Sequence, residues 1–262
     1  MNHVTISETA HEAAEAAGKI LADYFHNGVT MRTKSASVDL VSDADVNAER
    51  CIADKIRAAF PDHHILGEEE NSADVDAEHL WIIDPLDGTT NFAHGIPHFA
   101  VSIGYYHKGV AQYGVIYNPI RNDWFRAERG GGAFHNDQLI SVSQADSLNE
   151  LLVGVGFYYD RGEIMSATLA AVERLFRQQI HGIRRFGTAS LDLALVACGQ
   201  LGAFFEYQLS PWDFAAGRLL LEEAGGKITT CDGTPLPLSK TTVLATNSTL
   251  HESMLEHVRR GT

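Results

Sequence analysis

Two aspartates three residues apart, Asp84 and Asp87, stand in the stretch Trp81 to Phe92, which reads WIIDPLDGTTNF. An apolar strand precedes them, and a glycine and two threonines follow. Carboxylates are the hard oxygen ligands that Mg²⁺ prefers, and the turn after them offers free backbone N–H groups that suit an anion. A structural turn needs one Asp and one Gly; a second aspartate and two threonines point instead to divalent cations held against a phosphate. Other carboxylates lie where strands end or helices begin. Glu68, Glu69 and Glu70 close one apolar segment, Asp213 sits in Ser210-Pro-Trp-Asp, and Asp45 follows Ser42. Taken singly, the three glutamates read as a solvated loop, and Asp213 and Asp45 as helix caps. Ligands gather where strands give way to helices, so these segments are expected to converge. An acid in a helix's first turn is held ionised by the macrodipole, which suits a ligand or a base. The chemistry expected is that of a metal-dependent phosphatase.

The elements that must position these groups are legible from periodicity and capping. Residues 7 to 26 read as an amphipathic helix that buries Ala13, Ala17, Leu21 and Phe25, with Thr5 to Glu8 as a capping box. Residues 29 to 41 read as extended. A second helix opens at Ser42 to Asp45 and stops at Pro61. His64 to Leu66 and Leu80 to Ile83 read as strands ending at the glutamates and at Asp84. Phe99 to Phe134 form a series of strands. The second half alternates: a strand at Leu151 to Phe157, a helix over 163–178, a strand at Ile180 to Phe186, a helix over 188–199, a strand at Gly202 to Tyr207, a helix over 211–224, and a strand pair near 227–246. Such alternation predicts an α/β layer. The polar stretch 136–150 is the expected seam between two sub-domains, about 1–140 and 141–262, that share one site.

The chain has 262 residues, 34 acidic against 20 basic, for a formal charge of −14. That balance disfavours direct nucleic-acid or anionic-membrane binding and suits a polyanionic substrate only where cations invert the field. Three cysteines with no CxxC spacing, together with a start lacking the basic and apolar regions of a signal peptide, predict a cytoplasmic protein with reduced thiols. No apolar run is long enough for a membrane span.

WIIDPLDGTTNF resembles the signature of the inositol monophosphatase family, and SPWDFAAGRLLLEEAGG resembles that family's second signature. DLVSDAD, GEEE and Arg184-Arg-Phe-Gly-Thr-Ala-Ser190 match its smaller segments in order, and the resemblance spans almost the whole chain. It is nearest to the bacterial inositol-1-monophosphatases. The resemblance implies a layered αβαβα sandwich of mixed α+β and α/β character, a homodimer, inhibition by Li⁺, and two or three Mg²⁺ ions. By it, Glu68, Asp84 and the Leu86 carbonyl hold the first ion, and Asp84, Asp87 and Asp213 the second. Glu68 faces a third ion through water, with Glu69 as a further candidate. Gly88 and Thr89 cradle the phosphate, and Thr89 with Asp45 positions and deprotonates the attacking water. Ala189, Glu206 and Asp213 contact substrate hydroxyls.

Two cations roughly 3.5–4 Å apart neutralise a phosphate monoester and stabilise both the attacking and the leaving oxygen. The leading expectation is therefore hydrolysis of inositol monophosphate or a similar small polyol phosphate. Relatives with fructose-1,6-bisphosphatase, NADP phosphatase or histidinol-phosphatase activity share the same metal motifs. The 3′-phosphoadenosine bisphosphate nucleotidases are disfavoured by Thr90-Asn91. A reading of another class is an accessory partner of RNA polymerase, a role that some bacterial relatives play. The loop 156–165, with Tyr158 and Tyr159, is expected to influence specificity. Arg161, Arg184 and Arg185 could meet a second phosphate, although surface salt bridges are the commoner fate of such residues; Arg184 stands here among the substrate-binding candidates. Gly130 to Gly132 reads as a tight turn, since no GK[ST] follows. His63, His64, His94 and His98 lack zinc-like spacing with the cysteines; His94 and His98 follow the signature closely enough to border the pocket, with structural roles favoured.

Overall fold

The computed structural model describes residues 5–28, 31–33 and 40–260, with side chains for 5–28 and 43–260. Most of the expected extended segment at 29–41 lies outside them. Helix α1 (Ile6–Asn27) opens on the anticipated capping box: the Glu8 amide donates to Thr5 Oγ1 at 3.2 Å, and the Thr5 amide to Glu8 Oε2 at 2.9 Å. Its buried stripe is almost all alanine and glycine, Ala10, Ala13, Ala14, Ala17 and Gly18, so the helix can lie close against its neighbours. Strands β1 (Met31–Thr33) and β2 (Leu40–Ser42) pair antiparallel. Helix α2 follows at Asp43–Ala59; Ser42, expected to open it, ends β2 instead.

The larger sheet runs through seven strands in sequence order. They are β3 (His64–Gly67), β4 (His79–Asp87), β5 (Ala100–His107), β6 (Val110–Asn118), β7 (Asp123–Glu128), β8 (Gly132–His135) and β9 (Gln138–Leu139). Only β3 and β4 pair parallel. The short helix α3 (Thr89–Ala93) follows β4 directly. The second half contributes β10 (Leu152–Val155), α4 (Glu163–Arg177), β11 (Gly182–Arg184), α5 (Ala189–Ala197), β12 (Ala203–Leu209), α6 (Pro211–Glu223), β13 (Lys227–Thr229), β14 (Thr241–Thr246) and α7 (His251–Val258). Its five strands form a mixed sheet ordered β11-β10-β12-β14-β13.

Three cores stack these elements. Helices α1 and α2 cover one face of the large sheet. Helices α5 and α6 fill the space between the two sheets. Helices α4 and α7 cover the outer face of the small sheet. The order is an αβαβα sandwich. Strand β4 is buried almost throughout because both its faces are covered. Trp81 and Ile83 enter the core under α1 and α2, whereas Leu80 and Ile82 enter the core shared with α5 and α6. Helix α5 is buried nearly all round, as a helix between two sheets must be.

Candidate active site

Because strand side chains alternate, Asp84 falls on the face of Leu80 and Ile82, toward α6. Asp87, three residues on, would point the opposite way in a regular strand. The ladder to β5 shifts register between them, pairing Asp84 with Ser102 and Asp87 with Ala100, so three steps on β4 match two on β5. This one-residue bulge returns Asp87 to the face of Asp84. Parallel pairing aligns the ends of β3 and β4, with Gly67 opposite Ile83, so Glu68 emerges beside Asp84. Helix α6 supplies the third element. Its first turn carries Asp213, whose Oδ2 accepts the Ser210 amide at 2.6 Å, with Pro211 at the first helical position.

The carboxylate oxygens of Asp84, Asp87 and Asp213 lie within 4.8 Å of one another. With Glu68, Leu86, Gly88 and Thr89 they line a cavity of about 340 Å³. Burial, then the negative charges of Glu68, Asp87 and Asp213, pushes the Asp84 carboxyl well above the usual carboxylate range. Burial does the same to Asp213, aided by Asp87 and Glu68. Asp87 is pushed up to about 6 by burial, against hydrogen bonds from Ser190 and Ala189 that favour its ionised form. Mutually repelling, buried oxygen donors are the set that a hard divalent cation relieves. The donor chemistry therefore fits Mg²⁺.

The glycine after these aspartates holds the turn that the phosphate chemistry calls for. Gly88 has φ +97°, and a β-carbon there would lie 2.5 Å from Thr188 Oγ1. The turn is tied down from outside: Asn91 Nδ2 donates to the His98 and Phe186 carbonyls, both at 2.8 Å. Thr89 Oγ1 donates to the Leu86 carbonyl at 3.0 Å and lies 3.4 Å from Asp45 Oδ1. Asp45 itself is buried in the first turn of α2.

The far wall comes from the second half of the chain: Ala189, Asp192 and Glu206, with Tyr158, Tyr159, Arg185 and Lys240 also lining the cavity. The ladder from β12 to β14 is regular through Glu206 and shifts register between it and Leu209. Burial pushes Glu206 up to about 8, with Arg185 opposing the shift. Asp192 is buried with its Oδ1 unpartnered, and burial holds its carboxyl well above the ordinary range.

The structure thus brings Glu68, Asp84, Leu86, Asp87, Gly88, Thr89, Ala189, Glu206 and Asp213 to one cavity, with Asp45 against Thr89. Arg184 is not there. It is exposed, its Nη1 donates to the Ile183 carbonyl, and the next residue, Arg185, faces the cavity instead. Residue-type reasoning does not separate adjacent arginines at a strand end, because alternation sends them opposite ways. Neither His94 nor His98 lines the cavity. Asp192 was missed, although a lone acid within the apolar ASLDLALVA was an available signal. Lys240 gave none. The Gly130 to Gly132 turn is the β7–β8 connection, and the Glu223 carboxylate occupies its amides.

The fold and the site define a phosphatase of the layered-sandwich type. The model of the inositol monophosphatase family matches residues 2–262, and the chain belongs to that family, whose members depend on metal. A protein of Neisseria meningitidis serogroup B named putative Nus factor SuhB is 42% identical over 250 residues, 95% of each chain. The inositol-1-monophosphatase of Rhizobium meliloti is 40% identical over 252 residues, 95% of this chain and 94% of that one. The crystal structure of the extragenic suppressor protein suhB from Bartonella henselae superposes with a TM-score of 0.91 at 38% identity, covering 98% of this chain and 99% of that one.

Proposed function

We propose that the protein is a Mg²⁺-dependent phosphomonoesterase acting on inositol monophosphate or a similar small polyol phosphate. The observation that carries this reading is the meeting of three carboxylates from two distant segments within 4.8 Å, beside the left-handed Gly88 turn that opens a helix. The cavity volume suits a small substrate. Glu68, Asp84, Asp87, Asp213 and the Leu86 carbonyl would hold the ions. Mg²⁺ bound there supplies positive charge for the phosphate oxygens and a water acidic enough to attack. The chain does the rest. The amides of Gly88 and Thr89 orient the phosphate, and the Thr89 hydroxyl hands the water's proton toward Asp45. Glu206, whose carboxyl burial pushes upward, would hydrogen-bond a substrate hydroxyl. Ala189 borders the same hydroxyl-binding wall. A cytoplasmic homodimer is the expected state.

The test is phosphate release with Mg²⁺ across inositol phosphates, 2′-nucleotides, NADP, histidinol phosphate and fructose bisphosphate. Inositol monophosphate is expected to turn over best, and Asp84→Asn to lose about a thousandfold while keeping its circular dichroism, as loss of several kcal/mol of transition-state stabilisation requires. Normal turnover by that variant in excess Mg²⁺ would remove the metal assignment.

The relative named as a putative Nus factor supports a second role, as an accessory partner in transcription. RNA polymerase retained by the catalytically silent Asp84→Asn protein would support that role beside catalysis.

A further inference from the structure

At the opposite end of β4 from the aspartates, the chain gathers imidazoles. His79 opens β4 and is the cross-strand partner of His107 on β5, and Glu78 immediately precedes it. One ring nitrogen of each histidine and a carboxylate oxygen of Glu78 lie within 4.8 Å of one another, with His107 Nε2 3.6 Å from Glu78 Oε1. His79 is braced on two sides. The Tyr105 hydroxyl bonds its Nδ1 at 2.7 Å, which leaves Nε2 for a ligand. His63 stacks on its face at 4.4 Å and 6°, and is itself fixed by the Trp81 indole N–H donating to its Nδ1 at 3.0 Å. Polar partners that fix the tautomer and plane of an imidazole are characteristic of metal-ligating histidines.

We propose that Glu78, His79 and His107 form a surface site for a divalent transition-metal ion of borderline softness, typified by Zn²⁺. Two imidazole nitrogens and one carboxylate oxygen suit such an ion and leave a fourth position for water. The hard oxygen set around Asp84 selects Mg²⁺ instead. The two sites are separate: His79 and Asp84 are five residues apart on an extended strand, roughly 17 Å. Two features make binding moderate rather than tight. Lys108 Nζ sits 3.2 Å from Glu78 Oε1, so the ion displaces an ammonium group. His79 and His107 stack at 4.8 Å and 18°, so the half-exposed His107 ring must turn to bring its lone pair into line with that of His79. Binding would clamp β4 to β5 at the end of the strand that carries the catalytic aspartates.

The test is calorimetric titration of the whole protein with Zn²⁺ in saturating Mg²⁺, which keeps the aspartate cluster filled. One saturable equivalent is expected. His107→Ala, at a half-exposed position, is expected to weaken it at least tenfold, and Glu78→Gln several-fold. Asp84→Asn is expected to retain it, and inositol monophosphate hydrolysis by His107→Ala is expected to be normal. Absence of saturable binding, an unchanged isotherm in His107→Ala, or loss of the equivalent in Asp84→Asn would each overturn the proposal.

Discussion

Glu49 shows how a single side chain can govern a site that it does not touch. It lies in α2, fully buried, and its carboxylate accepts the amides of Glu69, Glu70 and Asn71 at 2.7, 2.7 and 2.9 Å, and the Asn71 side-chain amide at 2.7 Å. These donors belong to the loop that begins with Glu68. Gly67 is required where β3 enters it, because a β-carbon there would meet the Glu49 carboxyl at 2.6 Å. An ionised carboxylate offers lone pairs to all four donors, whereas an amide turns two of its own N–H groups against them. Glu49→Gln is therefore expected to destabilise the protein by about 2 kcal/mol, the scale for hydrogen bonds to a buried charge. Its diagnostic effect is on metal affinity. The Mg²⁺ concentration for half-maximal phosphatase activity is expected to rise about tenfold, with turnover recovering at saturating Mg²⁺. An activation curve unchanged from wild type would detach Glu49 from the metal loop. In the sequence, Glu49 stands between Ala48 and Arg50 on a helix otherwise rich in charge, and it reads as one more solvated residue.

At the scale of elements, the site depends on how closely α6 approaches the large sheet. Strands β5 and β6 present Gly104 and Gly114 to it. A β-carbon at Gly114 would lie 2.9 Å from the Ala216 carbonyl, and one at Gly104 would lie 3.1 Å from Ala215 Cβ. Tyr106, beside them, donates to the Ala215 carbonyl at 3.0 Å. These small residues let α6 bring Asp213 down to Asp84 and Asp87. Gly114→Val is expected to lift the helix, lower stability by about 1–3 kcal/mol through overpacking, and reduce turnover by more than that loss of folded protein explains. Thermal melts and initial rates on the same preparation check both; full activity per folded molecule would mean that Asp213 holds its place independently of the strand glycines.

Two helices of the second half were legible because their periods are local. The expected 211–224 is observed at Pro211–Glu223, and 163–178 at Glu163–Arg177. Helix α7 and the short α3 were not foreseen. Helix α3 spans only Thr89–Ala93 and opens on a left-handed Gly88 without a side-chain cap, so its sequence reads as a turn. The bulge that aims Asp87 was also hidden, since a register shift is a relation between strands. The motifs therefore revealed which acids belong together, but the bulge that turns Asp87 onto the face of Asp84 became visible only in the folded sheet.

At the scale of the whole molecule, the site is a concentration of negative charge in a chain already carrying a formal −14. Without a cation, burial raises Glu206 to about 8 and holds Asp192 well above the ordinary carboxylate range. The folded protein then binds protons that the unfolded chain, with carboxylates near 4, has already released. Stability is thus full at pH values below the unfolded carboxylate range and falls as pH rises from there toward 8, the reverse of a salt-bridged acid. In EDTA the melting temperature is expected to decline between pH 5 and 8, and Glu206→Gln to flatten that decline. Mg²⁺ should act in the opposite sense. At a hundredfold excess over its dissociation constant it contributes about 2.7 kcal/mol, or about 5–10 °C for a chain of this size. Asp84→Asn separates the two effects. Removing one of four crowded carboxylates should leave the metal-free protein at least as stable as wild type, yet abolish most of the Mg²⁺-dependent rise. A variant that melts well below wild type in EDTA while keeping the full Mg²⁺ response would show that Asp84 supports the fold rather than the ion. The expected result places the cluster among sites that hold strain for function, where the residues that weaken the empty protein are those the ligand needs.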